Sequence, residues 1–163
     1  MIKILNKKFK PRIKARIRKN KQILGKNIDS FFSWVKGAKL VELKECNTEE
    51  DPVRPELDNK FRTGYGRKIY GVEFKGEIYA VMCFAYTNQI PKSVDELEKL
   101  STDAFLQSAM RDQSGGQIAI AYTVWSKKKG GGKLIVKEVF KKIKKSNHLN
   151  RLITLSPLTE MAT

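Results

Sequence analysis

The residues best suited to chemistry lie in one stretch, "AIAYTVWSKKKGGGKLIVKEVFKKIKK", where an apolar run meets a lysine triplet, three glycines and a basic periodic segment. In a strand, glycine turn and helix of this kind, the first N–H groups of the helix point at an anion. The glycines let that anion approach the main chain closely. Lys127, Lys128, Lys129 and Lys133 surround the turn, and each can donate charge-assisted hydrogen bonds to phosphoryl oxygens. Three glycines are also an ordinary flexible turn, so the elements around them must decide. Two familiar phosphate motifs are excluded: there is no GxxxxGK[ST], and no GxGxxG with an acidic residue after the next strand.

The surrounding pattern predicts which elements hold this turn. "GQIAIAYTVW" has the apolar character of a strand buried on both faces. After the glycines, Leu134, Ile135, Val136, Val139, Phe140 and Ile143 fall on one face of a helix and Lys133, Lys137, Lys141 and Lys144 on another. Upstream, "RKIYGVEF" and "EIYAVMCFAYT" flank Lys75-Gly76 and read as a hairpin. "AKLVELKEC" reads as an earlier strand and "LNRLITLSPL" as a last one that Pro157 ends. "PKSVDELEKLSTDAFLQSAM" carries a Ser93 start signal for one or two helices. "NTEEDPVRPELDNKFRTGYGR" is acidic and rich in Pro and Gly, which predicts a surface loop with one helical turn. A short amphipathic helix is expected at Ile28, Phe31, Phe32 and Val35.

The formal charge of +16, from 33 basic and 17 acidic residues, favours a polyanionic partner: nucleic acid, an anionic membrane or a phosphorylated cofactor. Residues 1–26 hold eleven of the basic residues and no acid, and Pro11 interrupts any helix there. This predicts a flexible basic arm at 1–26 and a folded domain at 27–163. The arm reads equally as an anion-binding tail or as a solvated extension. With only Cys46, Cys83 and His148 and no CxxC spacing, neither a zinc site nor a disulfide scaffold is expected, and a reducing, cytoplasmic setting follows. No apolar run approaches the ~20 residues of a membrane span.

The segment Lys127-Lys128-Lys129-Gly130-Gly131-Gly132 resembles the acyl-CoA-binding motif of the GNAT N-acyltransferase superfamily, with Lys at a first position usually held by Arg or Gln. The order of strands, turn, helix and final strand over residues 38–163 is similar to that family as well. The resemblance implies an α/β (α+β) fold with a mixed, mainly antiparallel central sheet flanked by helices. It implies binding of acetyl-CoA or another acyl-CoA, with the backbone of Val124, Trp125 and Ser126 on the pantetheine. The N–H groups of residues 129–133, including Gly130, Gly131, Gly132 and Lys133, would hold the pyrophosphate, with Lys127 and Lys128 beside them. Relative to the family, the turn is short and the expected C-terminal helix and two strands are missing after "LTEMAT". That leaves a fragment, a partner chain completing the fold, or an inactive protein as open alternatives. Trp125 and Tyr122 are equally readable as packed core aromatics.

In such a family an unidentified amine attacks the acyl thioester directly, with a strand N–H polarising the carbonyl and a carboxylate accepting a proton. Glu73 and Glu77 on the hairpin are the candidate bases, although hairpin carboxylates are more often simply solvated. Cys83 reads as core. "LITLSPL" also resembles the Leu-Ser-Pro segment of the GNAT-like domain of malonyl-CoA decarboxylases, which would place Ser156 in an acyl pocket. The chain as a whole has some similarity to phage-encoded acyltransferase-like proteins. The alternative to an enzyme is therefore a GNAT-shaped structural protein, in the host cytoplasm or a virion, that binds nucleic acid through its basic arm and the nine basic residues at 127–145.

Overall fold

The computed structural model describes residues 34–109 and 115–155. The chain divides into two units, Met1–Gly37 and Ala38–Thr163. In the first unit, residues 34–37 are helical. The basic arm and the start of that predicted helix lie outside the described residues. Among the described residues no helix is long and apolar enough to cross a membrane.

The second unit carries one sheet whose strands lie side by side in chain order: β1 (Lys39–Leu43), β2 (Lys68–Phe74), β3 (Glu77–Thr87), β4 (Ile118–Ser126) and β5 (Arg151–Thr154). Three helices accompany them: α1 (Asn59–Thr63), α2 (Val94–Gln107) and α3 (Gly131–Lys144). Neighbouring strands are antiparallel except β4 and β5, which are parallel. A parallel pair cannot be joined by a tight turn, and the glycine turn with α3 forms the required crossover.

Local chemistry explains the elements. Lys75 and Gly76 take φ of 51° and 82°, the paired left-handed geometry of a two-residue hairpin turn. At the start of α2 the Ser93 hydroxyl accepts the Glu96 N–H at 3.2 Å, and the Glu96 carboxylate accepts the Lys92 N–H at 2.6 Å. The result is one 14-residue helix where the sequence allowed one or two.

Each face of the sheet is covered. Ile69, Val81, Cys83, Ile118, Ile120 and Tyr122 form a layer with Leu97 of α2. On the other face α3 buries Leu134, Ile135, Val139 and Ile143. Fully burying one such side chain is worth ~1.5–3 kcal/mol, a large share of the ~5–15 kcal/mol that holds a domain together. The apolar spacing of α3 is thus what fixes the helix, and the turn before it, onto the sheet.

The segment expected to be a surface loop is folded down instead. It forms a 3-10 turn at Thr48–Glu50, then α1, then a second 3-10 turn at Gly64–Gly66. It buries Asp51, Arg54, Arg62 and Arg67, none more than 5% exposed. Its polar composition reflects a buried hydrogen-bonded network, not solvation.

Candidate functional site

Among the described residues β4 is paired with β5 from Ile118 opposite Arg151 to Ala121 opposite Thr154, and the Leu155 N–H donates to the Ala121 carbonyl at 3.0 Å. At this point the β3–β4 register slips. Cys83 faces Thr123 and Phe84 faces Ala121, so Tyr122 is an extra residue in β4. Such a bulge bends the strand and increases its twist. It also changes the side-chain parity: Ile118, Ile120 and Tyr122 share a face with Trp125.

The direction of the exposed backbone follows from one hydrogen bond. Lys127 donates its N–H to the Tyr79 carbonyl at 2.8 Å, so residues 127, 125 and 123 turn their main-chain groups toward β3. By strand alternation those of Val124 and Ser126 face the open side. The cleft there has a volume of about 660 Å³ and is walled by Val53, Val124, Val136, Phe140 and Leu155, with Gly132 at its helix side.

The glycine turn sets the mouth of this cleft. Gly130 has φ of 85° and occupies the N-cap of α3, where it offers no capping side chain. The Ser126 hydroxyl bonds the Lys128 carbonyl at 2.5 Å, and that carbonyl also accepts the Gly131 N–H at 2.9 Å. A Cβ on Gly131 would stand 2.4 Å from the Ser126 Oγ and 3.3 Å from the Ala80 Cβ, so glycine there is a packing requirement. At Gly132 a Cβ would meet nothing within 4 Å. The first turn of α3 therefore leaves open space at Gly132 on the side of the cleft.

The bulge is held from beneath. Asp51 Oδ1 accepts the Thr123 hydroxyl at 2.7 Å and the N–H groups of Val53 and Arg54 at 2.9 and 3.1 Å. Its Oδ2 pairs with Arg62 Nη1 at 2.9 Å, both side chains being fully buried. Arg62 also donates to the carbonyls of Arg54 and Leu57. Arg54 Nε donates at 3.3 Å to the carbonyl of Tyr122, the bulge residue itself. Burial alone would raise the Asp51 carboxyl. The hydrogen bonds from Thr123, Val53, Arg54 and Arg62 outweigh it and hold the group below the usual carboxylate range. Burial pushes the Tyr122 phenol well up, and its hydroxyl has no hydrogen-bond partner among the described residues.

The residues expected from the sequence are partly brought together. Val124, Gly132 and Lys133 line the cleft, while Ser126, Gly130 and Gly131 belong to the turn that precedes α3. Trp125 is in the core layer and its backbone faces β3. Lys127 forms an ion pair with Glu50 at 2.8 Å, and the Lys128 ammonium lies 5.0 Å and 5.5 Å from the Tyr79 and Phe74 ring centres. Lys129 and Lys133 are exposed. Glu73 is half-buried and Glu77 exposed at the hairpin end of β2 and β3, and neither lines the cleft. Ser156 lies outside the described residues. Among the described residues no group of His, Cys, Asp or Glu could hold a metal ion. The Asp51, Arg54, Arg62 and Thr123 network went unread because the strand residue it holds lies 72 positions from Asp51. Its one signal was three arginines in an otherwise acidic loop.

No protein-family model matches the sequence, and no curated protein matches it. Among solved structures, malonyl-CoA decarboxylase from Agrobacterium vitis superposes with a TM-score of 0.55 at 16% identity over 79% of this chain and 36% of that one. The enzyme of the same name from Cupriavidus metallidurans gives 0.53 at 17% identity over 84% and 36%. A ribosomal-protein-alanine N-acetyltransferase from Brucella melitensis biovar Abortus 2308 gives 0.42 at 12% identity over 77% and 87%, too loose a superposition to bear on the fold. The chain thus spans about a third of the length of each decarboxylase. At these identities the likeness establishes a shared fold.

Proposed function

We propose that the chain is an acyl-CoA-dependent N-acyltransferase that binds its thioester substrate in the cleft between β4 and β5. One observation carries this reading: an apolar slot walled by Val124, Val136, Phe140 and Leu155 lies beside the bulge in β4 and the glycine-capped start of α3. The pantetheine amides would pair with the outward backbone of Val124 and Ser126. The pyrophosphate would approach at Gly132 and Lys133, with Lys129 adding charge. The apolar walls exclude water from the acyl group, which strengthens hydrogen bonds to the developing oxyanion. Acetyl-CoA is the proposed donor.

The amine lone pair attacks the thioester carbon, the carbonyl oxygen takes the negative charge, and collapse breaks the C–S bond. The leaving thiolate takes a proton and the ammonium loses one to water. Glu73 and Glu77 are not assigned the proton transfer, because no carboxylate is among the described residues that line the cleft. The fold shared with two malonyl-CoA decarboxylases supports a second reading, decarboxylation of an acyl-CoA.

Thiol release separates the two. Acyl transfer from acetyl-CoA to an amine panel frees the CoA thiol in step with product, whereas decarboxylation of malonyl-CoA releases carbon dioxide and leaves the thioester intact. Neither product from folded protein overturns both readings and leaves a binding protein.

A further inference from the structure

Apart from Lys133, the lysines of α3 have no part in the proposed transfer, and their charge is out of balance. Residues 127–145 hold nine lysines and one acid, Glu138. Lys133, Lys137, Phe140 and Lys144 are all exposed and recur at helical spacing, so they form one stripe about 16 Å long at ~1.5 Å per residue. Lys141 flanks the stripe and pairs with Glu138 at 2.8 Å. Lys133, Lys137 and Lys144 make no ion pair among the described residues.

A solvated helix face ordinarily mixes its charges, because opposite signs at i and i+4 attract and like signs repel. Lys133, Lys137 and Lys141 repel at each step. The buried side of α3, through Leu134, Ile135, Val139 and Ile143, holds the helix on the sheet against a repulsion that a bound polyanion relieves. Phe140 stands among these lysines with 46% of its surface exposed, and the Lys144 ammonium lies 5.0 Å from its ring centre. A ring beside cations offers a base a stacking surface and the neighbouring phosphates a partner.

We propose that this face of α3 binds single-stranded nucleic acid, with Lys133, Lys137 and Lys144 on phosphates and a base stacked on Phe140. Such contacts read no sequence. A duplex keeps its bases stacked on one another and offers Phe140 none. An anionic membrane would also meet the lysines, but Val136 and Phe140 are the only large apolar residues that α3 exposes, too little apolar surface to enter a bilayer. Phe140 also walls the cleft, so a bound strand and an acyl-CoA compete for it.

The test uses the full chain without acyl-CoA, so its outcome does not depend on the transfer reading. The probes are fluorescein-labelled single strands of one mixed sequence, as DNA and as RNA, read by anisotropy over a range of salt. The DNA duplex and phosphatidylserine-containing vesicles run alongside. Binding of either sugar supports the proposal, and the tighter one names the strand. Because residues 1–26 can add phosphate contacts of their own, variants of α3 decide the matter. Replacing Lys133, Lys137 and Lys144 together with Gln should reduce the slope of log affinity against log salt by about 2, at ~0.7 per phosphate. Phe140→Ala should weaken single-strand binding about fivefold or more and duplex binding far less. Phe140→Trp should bind at least as tightly as the parent, with its added indole fluorescence quenched by the strand. That quenching decides if the triple variant fails to fold. An unchanged salt slope in the folded triple variant, parental single-strand affinity in Phe140→Ala, or binding to vesicles with none to the oligonucleotides would each overturn the proposal.

Discussion

Replacing Gly132 with alanine separates a site from a mere turn, because stability and binding should move in opposite directions. An added Cβ meets nothing within 4 Å at this position, and Gly132 lies within α3. Exchanging glycine for alanine in a helix is worth ~0.5–1 kcal/mol, and the first turn should give the lower end of that range. For a chain of this size ~1 kcal/mol moves the melting temperature by about 2–4 °C, so Gly132→Ala should melt at or slightly above the parent. The same methyl group projects into the cradle proposed for the pyrophosphate and should weaken acetyl-CoA binding at least tenfold, about 1.4 kcal/mol. Gly131→Ala is the internal control. Its Cβ would stand 2.4 Å from the Ser126 Oγ, and such crowding costs about 1–3 kcal/mol of stability. Thermal melts and calorimetric titrations on the three proteins give the answer. If Gly132→Ala binds acetyl-CoA as tightly as the parent, the cradle is not where the phosphates sit.

Removing one partner from the buried pair, in Asp51→Asn or Arg62→Met, should cost about 3–5 kcal/mol in denaturant unfolding. The double variant should lose less than the sum. Because the folded Asp51 carboxyl lies below its ordinary range, its contribution is present above the unfolded pKa of ~3.9 and is lost as pH falls through the lower folded value. Asp51→Asn should therefore flatten the acid limb of stability against pH. Tyr122→Phe removes a buried hydroxyl with no partner among the described residues and should leave stability unchanged or raise it by about 1 kcal/mol, with no loss of transfer rate; a slower enzyme would make Tyr122 part of the chemistry. Deleting residues 1–26 should weaken nucleic-acid binding, flatten its steep salt dependence, and leave acetyl-CoA affinity unchanged. Equal nucleic-acid affinity in both chains would reduce the arm to a solvated extension.

What the sequence revealed is what local chemistry dictates. The Lys75-Gly76 turn, the Ser93 cap and the apolar stripe from Leu134 to Ile143 each depend on neighbours a few residues away, and each is present. The strand order followed because consecutive strands pair with one another. The bulge at Tyr122 is a property of register between two strands, and neither strand alone signals it. Asp51 and Thr123 lie 72 residues apart, so their bond had no local trace. Buried arginines in a Pro- and Gly-rich loop have the composition of a solvated segment. Glu73 and Glu77 looked central because they flank the hairpin turn, but that turn is the end of the strands and not the middle of the sheet.

The cleft beside β4 and the glycine-capped start of α3 is proposed as an acyl-CoA site. Isothermal titration of the full-length chain with acetyl-CoA tests it most directly. The account requires saturable binding of one acetyl-CoA per chain, weakened by Gly132→Ala and insensitive to loss of residues 1–26. A folded protein that shows no saturable binding of acetyl-CoA or malonyl-CoA would contradict it.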